Sequence, residues 1–144
     1  MSQQLQSARP AAAMSFEQMV EHVRYEGAYA TSEQAEQAVR HVLAALGRQL
    51  TGEERVALAA RLPLDAALEL TAQIPATTPR TGFGFVSDLA QRTGGTPATA
   101  RWDAGTVFAV VARLAGDDLI TRILNQLPNG YALLFGRAEL TLSA

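Results

Sequence analysis

Two Leu-Pro pairs punctuate the chain, Leu62-Pro63 and Leu127-Pro128, and they stand 65 residues apart. At the same offset Val39 aligns with Ala104, Val42 with Val107, Leu43 with Phe108 and Leu58 with Ile123. Each pair closes the same series of signals: a short helix, glycine, a cap, a long helix, a second cap and a short helix. A helix signal then follows the proline. Isolated apolar matches arise by chance, but a shared order of this length is far more restrictive. Phe16 to Leu62 spans 46 positions and Phe85 to Leu127 spans 42, a difference near one helical turn. The sequence therefore predicts an internal duplication. A unit of roughly 60 residues buries too little surface to be very stable alone, so the two copies should pack together.

The helix signals are specific. Ser15 with Gln18 forms a capping box, and Met14 with Met19 a hydrophobic staple. Phe16, Met19, Val20 and Val23 follow at helical spacing, and Gly27 is the expected terminator. Thr31 with Gln34 opens a second helix, whose stripe is Ala35, Ala38, Val39, Val42, Leu43, Leu46 and Leu50. Gly47 should weaken its last turn by about 1 kcal/mol. Thr51 with Glu54 reads as a third capping box. Pro63 should open a helix with Leu64, Ala67, Leu68 and Thr71 on one face. Phe85, Val86 and Leu89 make the next short helix, ended by Gly94-Gly95. Thr96-Pro97 starts a long helix carrying Ala100, Ala104, Val107, Phe108, Val111 and Leu114. Asp117 is the expected cap of a helix with Leu119, Ile120, Ile123 and Leu124. A last helix holds Tyr131, Leu134 and Phe135.

The expected fold is all-α, a tandem duplication of a roughly 60-residue unit of about four helices, packed as one bundle-like domain. Residues 1–14 are expected to be a disordered leader, 15–74 the first repeat, 75–82 a linker, 83–140 the second repeat and 141–144 a tail. The segment before Met14 lacks the basic-then-apolar order of a signal peptide. The first repeat holds nine acids and five Arg, the second five of each.

Composition removes several chemistries. With no Cys, thiolate zinc, iron–sulfur clusters, disulfides and thiol nucleophiles are unavailable. Net charge is −2, against the basic surplus usual in nucleic-acid binders. No apolar stretch approaches the roughly 20 residues of a membrane span.

The repeated pattern resembles the bacterial domain-of-unknown-function family numbered 2267. The matching pieces are FEQMVEHV, AEQAVRHVLAALGRQLTGEE and AARLPLDAALEL in the first half, and FVSDLAQRTGG, TVFAVVARL and LNQLPNGYALLF in the second. The match runs over about residues 15 to 137. It departs at RWDAG, residues 101–105, where the usual charged helical run is interrupted. The resemblance implies tandem helical repeats and brings no catalytic residues or cofactor with it.

Candidate chemistry is sparse. His22 and His41 fall on helices without the convergent ligands a metal needs. Ser87 stands beside Asp88 but no nearby His. Gly82-Phe83-Gly84 and Gly94-Gly95 read as linker and terminator, with no phosphate-loop Lys. The pairs Glu53-Glu54 and Asp117-Asp118 suit helix starts, where the dipole favours acids. Arg40, Arg48, Arg55 and Arg61 alternate with acids and read as a solvated, ion-paired face. Trp102, flanked by Arg101 and Asp103, either anchors a partner or covers the seam between the repeats. Tyr25 and Tyr29, around the first glycine turn, share that claim more weakly.

The expectation is a non-enzymatic helical interaction or scaffold module of a bacterial cytoplasmic protein, with no cofactor and no metal. It would bind a protein partner or self-associate, through Trp102, Arg101, Tyr25 and Tyr29. The alternative is a nucleic-acid-associated regulatory factor. The third reading is a small-molecule or lipid binder between the repeats. No membrane association is expected.

Overall fold

The computed structural model describes residues 14–137. The expected leader up to Ala13, and Leu140 and Leu142 in the tail, lie outside the described residues. Eight helices and no strands are found among the described residues. They are α1 (Phe16–Gly27), α2 (Ser32–Gly47), α3 (Gly52–Arg61), α4 (Leu64–Thr71), α5 (Gly82–Thr93), α6 (Pro97–Ala115), α7 (Asp117–Gln126) and α8 (Tyr131–Leu134).

The two longest helices, α2 and α6, organise the packing. The predicted α2 stripe, from Ala35 to Leu50, is buried at every position, and so is the α6 stripe from Ala100 to Leu114. α2 packs on α1, α4, α5 and α6, while α6 contacts α1, α2, α3, α5, α7 and α8. The buried residues of both halves form one continuous cluster. In the second half its centre is aromatic. Phe85 meets Tyr131 edge-on at 5.4 Å, and Phe108 stacks on Phe135 at 4.2 Å.

The capping forecast holds in part. Ser15 and Gln18 exchange both capping-box bonds. Thr31 caps the Gln34 N–H, but Gln34 returns to Ala30 rather than to Thr31. Thr51 makes no side-chain cap. Its N–H donates instead to Gln126 Oε1 of α7 at 2.7 Å, and its carbonyl accepts from Gln126 Nε2 at 3.0 Å. Gly116, not Asp117, is the cap of α7. Gly27 remains helical, and Ala28 takes the left-handed conformation that ends α1. Gly94 ends α5 as expected.

Leu62 and Leu127 are both buried and extended, the geometry proline favours in the residue before it. Pro63 is the cap of α4 and Leu64 its first helical residue. The buried face of α4 is Ala66, Ala67 and Leu70, so Leu64 and Leu68 are exposed. The expected face was therefore rotated. In eight residues two stripes of similar apolar content exist, and packing on α2 turns the one with Ala66, Ala67 and Leu70 inward.

Arg55 is not a solvated surface residue. Its guanidinium donates to the carbonyls of Gly47, the last residue of α2, and Leu50 just after it, and to those of Leu70, Thr71 and Gln73 around the end of α4. Helix C-termini leave carbonyls without partners, and one planar fork satisfies two helix ends together. Arg61 does the same for α6, donating to the Ala115 carbonyl at 2.8 Å. The segment expected as a linker is likewise tied down. Ala76 N–H donates to the Arg48 carbonyl at 2.7 Å, and Gly82 N–H to the Asn129 carbonyl at 2.7 Å.

Gly47 permits this junction. A side-chain carbon there would press into the Leu70 carbonyl, whereas one at Gly105, also helical, would meet nothing within 4 Å. Two Gly→Ala exchanges should therefore act in opposite directions. Gly47→Ala is expected to destabilise by about 2 kcal/mol through overpacking. Gly105→Ala is expected to stabilise by up to about 1 kcal/mol through helix propensity. Urea unfolding of the two variants measures both.

Candidate functional site

The residues around the start of α6 form the most differentiated surface. Trp102 and Asp103 lie where the first two turns of α6 cross the end of α1. The Trp102 indole N–H donates to the Gly27 carbonyl at 3.0 Å. Asp103 Oδ1 accepts from the Tyr29 hydroxyl at 2.5 Å. Further along α6, Arg113 pairs with Glu26. Trp102 thus lies on the seam, one of the two expected placements. Its polar edge closes the seam between the halves, while 56% of its surface stays exposed.

Three hollows meet on this face, and Ala98 lines all of them. One, of about 710 Å³, runs along the seam between Tyr29, His41, Thr99 and Trp102. The second, about 380 Å³, lies between Glu26, Arg101, Trp102 and Gly105. The third, about 390 Å³, is bounded by Phe83, Val86, Pro97, Arg101 and Leu133. Phe83 is 81% exposed and Leu133 is exposed beside it. Arg101 lines two of these hollows, with Trp102 in one and with Phe83 and Leu133 in the other.

Of the four expected residues, the structure brings Trp102, Arg101 and Tyr29 together. Tyr25 is not with them. It is 86% exposed and borders a separate hollow with Glu21 and His22. Phe83, Pro97 and Leu133 were not anticipated. A usable signal existed for Phe83, since side chains two apart on a helix diverge by roughly 200°. Phe83 and Phe85 cannot both face the core, so one had to be outward.

The other candidate groups have structural partners or none. Arg40 bonds Glu36 and Glu69, each at 2.8 Å, and lies over the Phe16 ring. His22 and His41 are exposed, and no three His, Asp or Glu side chains converge on a metal position among the described residues. Asp88, beside Ser87, bonds Arg92. No helix among the described residues is long and apolar enough to cross a membrane.

Comparison with known families bears on this architecture. The model of the uncharacterized conserved protein family DUF2267 matches residues 16–134. The chain belongs to this family. The match takes in α1 through α8, so the DUF2267 region is the whole described helical body rather than one half of it. The chain matches no curated protein and no solved structure.

Two tyrosines are expected to make the fold of this chain sensitive to alkali. Burial, followed by the hydrogen bond and charge of Asp103, raises the Tyr29 hydroxyl well above its ordinary range. Burial does the same for Tyr131, whose hydroxyl donates to the Arg80 carbonyl at 3.0 Å. In the unfolded chain both ionise near their ordinary pKa of about 10. The folded state therefore binds more protons above that pH, so the stability they contribute is present below about pH 10 and lost as pH rises past it. Tyr29→Phe is expected to cost about 1–2 kcal/mol at neutral pH and to flatten the alkaline loss. Denaturant melts across the alkaline range check both effects.

Proposed function

We propose that this chain is a non-enzymatic helical interaction module of a bacterial cytoplasmic protein, docking a protein partner or a second copy of itself on the strip around the start of α6. The observation that carries this reading is the exposure of Phe83, Leu133 and Trp102 beside hollows that Arg101 also lines. Aromatic residues and arginine dominate the energetics of protein interfaces. Their placement on helices keeps the ordering cost of binding low. The polar groups nearby support a binding role over catalysis: Tyr29 is engaged by Asp103, the Trp102 indole by Gly27 and Glu26 by Arg113.

We also read the chain as a tandem duplication. The matched backbone of Leu62 and Leu127 at the ends of α3 and α7 supports this, as does the central pairing of α2 with α6. The copies have diverged after the Leu-Pro pair. In the first, α4 follows Pro63 directly; in the second, Asn129 and Gly130 intervene before the single turn of α8.

The test is association. Size-exclusion chromatography with light scattering should reveal a dimer, or a pull-down from the source lysate should retain a partner. Phe83→Asp and Trp102→Ala should each weaken that association by about 2 kcal/mol, roughly thirtyfold, with the thermal midpoint of Phe83→Asp unchanged. A strict monomer that retains nothing, or association indifferent to both changes, would defeat the reading.

A further inference from the structure

The hollow between the starts of α5, α6 and α8 differs from its neighbours. It lies within the second half and is more enclosed than the two that border Trp102. Phe83 and Val86 of α5, Pro97 of α6 and Leu133 of α8 give it apolar walls. Two glycines that line it are packed backbone to backbone. A side-chain carbon at Gly82 would fall 2.5 Å from the Gly130 carbonyl carbon, and Gly82 N–H donates to the Asn129 carbonyl at 2.7 Å. The Tyr131 hydroxyl donates to the Arg80 carbonyl at 3.0 Å, a second tie between α8 and the segment before α5. The hollow is therefore preformed. Its volume of about 390 Å³ suits a small molecule.

Among the described residues, Arg101 is the one charged side chain that lines it. Other arginines of the second half are matched: Arg80 and Arg92 with Asp88, Arg113 with Glu26, and Arg137 with Asp117. Arg101 has no ion-pair or hydrogen-bond partner among the described residues. Glu26, which borders the adjoining hollow with it, is taken by Arg113. The starts of α5 and α6 add to the positive potential. Neither first turn holds an acid, whereas those of α1, α2, α3, α4 and α7 each do.

We propose that this hollow binds a small amphiphilic monocarboxylate, with Arg101 pairing the carboxylate and Phe83, Val86 and Leu133 holding the apolar chain. The chain would cover Phe83 and Leu133, which are otherwise 81% and 56% exposed, and removing such surface from water drives binding. The guanidinium fork matches the two oxygens of a carboxylate. Chain and charge select together: an alcohol of equal length lacks the charge, and an amine is repelled. The site needs no second protein, so it stands apart from the docking reading.

The experiment titrates the full chain with octanoate, octanol and octylammonium below their micellar range, by calorimetry and carbon-13 methyl spectra. Octanoate is expected to saturate. Octanol should bind at least about tenfold more weakly, and octylammonium not at all. The methyl signals of Val86 and Leu133 should move with octanoate, while those of Leu58, buried on α3, stay. Arg101→Gln should weaken octanoate at least about tenfold and leave octanol as it was. Arg122→Gln, on α7, should change neither. No saturation with octanoate overturns the site. So do equal binding of octanoate and octanol, methyl shifts outside the hollow, or an equal loss in Arg122→Gln. If Arg101→Gln fails to fold, the three probes on the unaltered chain decide. Octanoate bound by a strict monomer supports this site even where protein docking fails.

Discussion

The architecture depends on the mutual burial of α2 and α6. Each carries an apolar stripe along its whole length; α1 and α4 cover most of that of α2, α5 and α1 most of that of α6, and the two long helices meet across the seam. The remaining helices are short, and short isolated helices are marginal in water. They persist because they lie against this central pair. The stripes of the two halves join in one continuous core, so neither half has to be covered alone.

Once the stripes are matched, backbone polarity becomes the next constraint. Many helices in a small body mean many ends, each with carbonyls that lack partners. The chain has no Lys, and arginine is the better solution here because its fork reaches several oxygens. Arg55 serves α2 and α4, and Arg61 serves α6 from across the seam. Gln126 plays a matching role at the start of α3, giving and accepting with the Thr51 backbone.

Periodicity made the stripes of α2 and α6 legible, and residue type the Leu-Pro breaks and the caps at Ser15, Gly94 and Thr96, because these are local properties. The misreadings share one cause. Leu64 and Leu68 were placed inward because α4 is too short for periodicity to choose a face. Gly47 reads as a weak point from helix propensity alone, whereas the Leu70 carbonyl packed against it leaves no room for a side chain. Arg55 looked solvated because none of its partners is nearby in a helical sense. At the candidate site, Trp102, Arg101 and Tyr29 were legible from residue type, but Leu133 and Phe83 join them only through the packing of α5, α6 and α8. Tyr25 was grouped with Tyr29 by proximity along the chain, and the turn at Ala28 separates them.

The reach of the arginine contacts also bears on the order in which the fold assembles. Arg55 closes loops of 5 to 18 residues, all inside the first half. The seam bonds Arg61 to Ala115, Trp102 to Gly27 and Thr51 to Gln126 close loops of 54 and 75 residues. Closing a longer loop costs more chain entropy, so contacts of short sequence separation form first. The first half should thus be structured early, and the seam should knit late. Interactions absent from the transition state govern the rate of opening rather than of closing. A residue such as Trp102 then acts as a kinetic latch, setting how long the native state survives once formed.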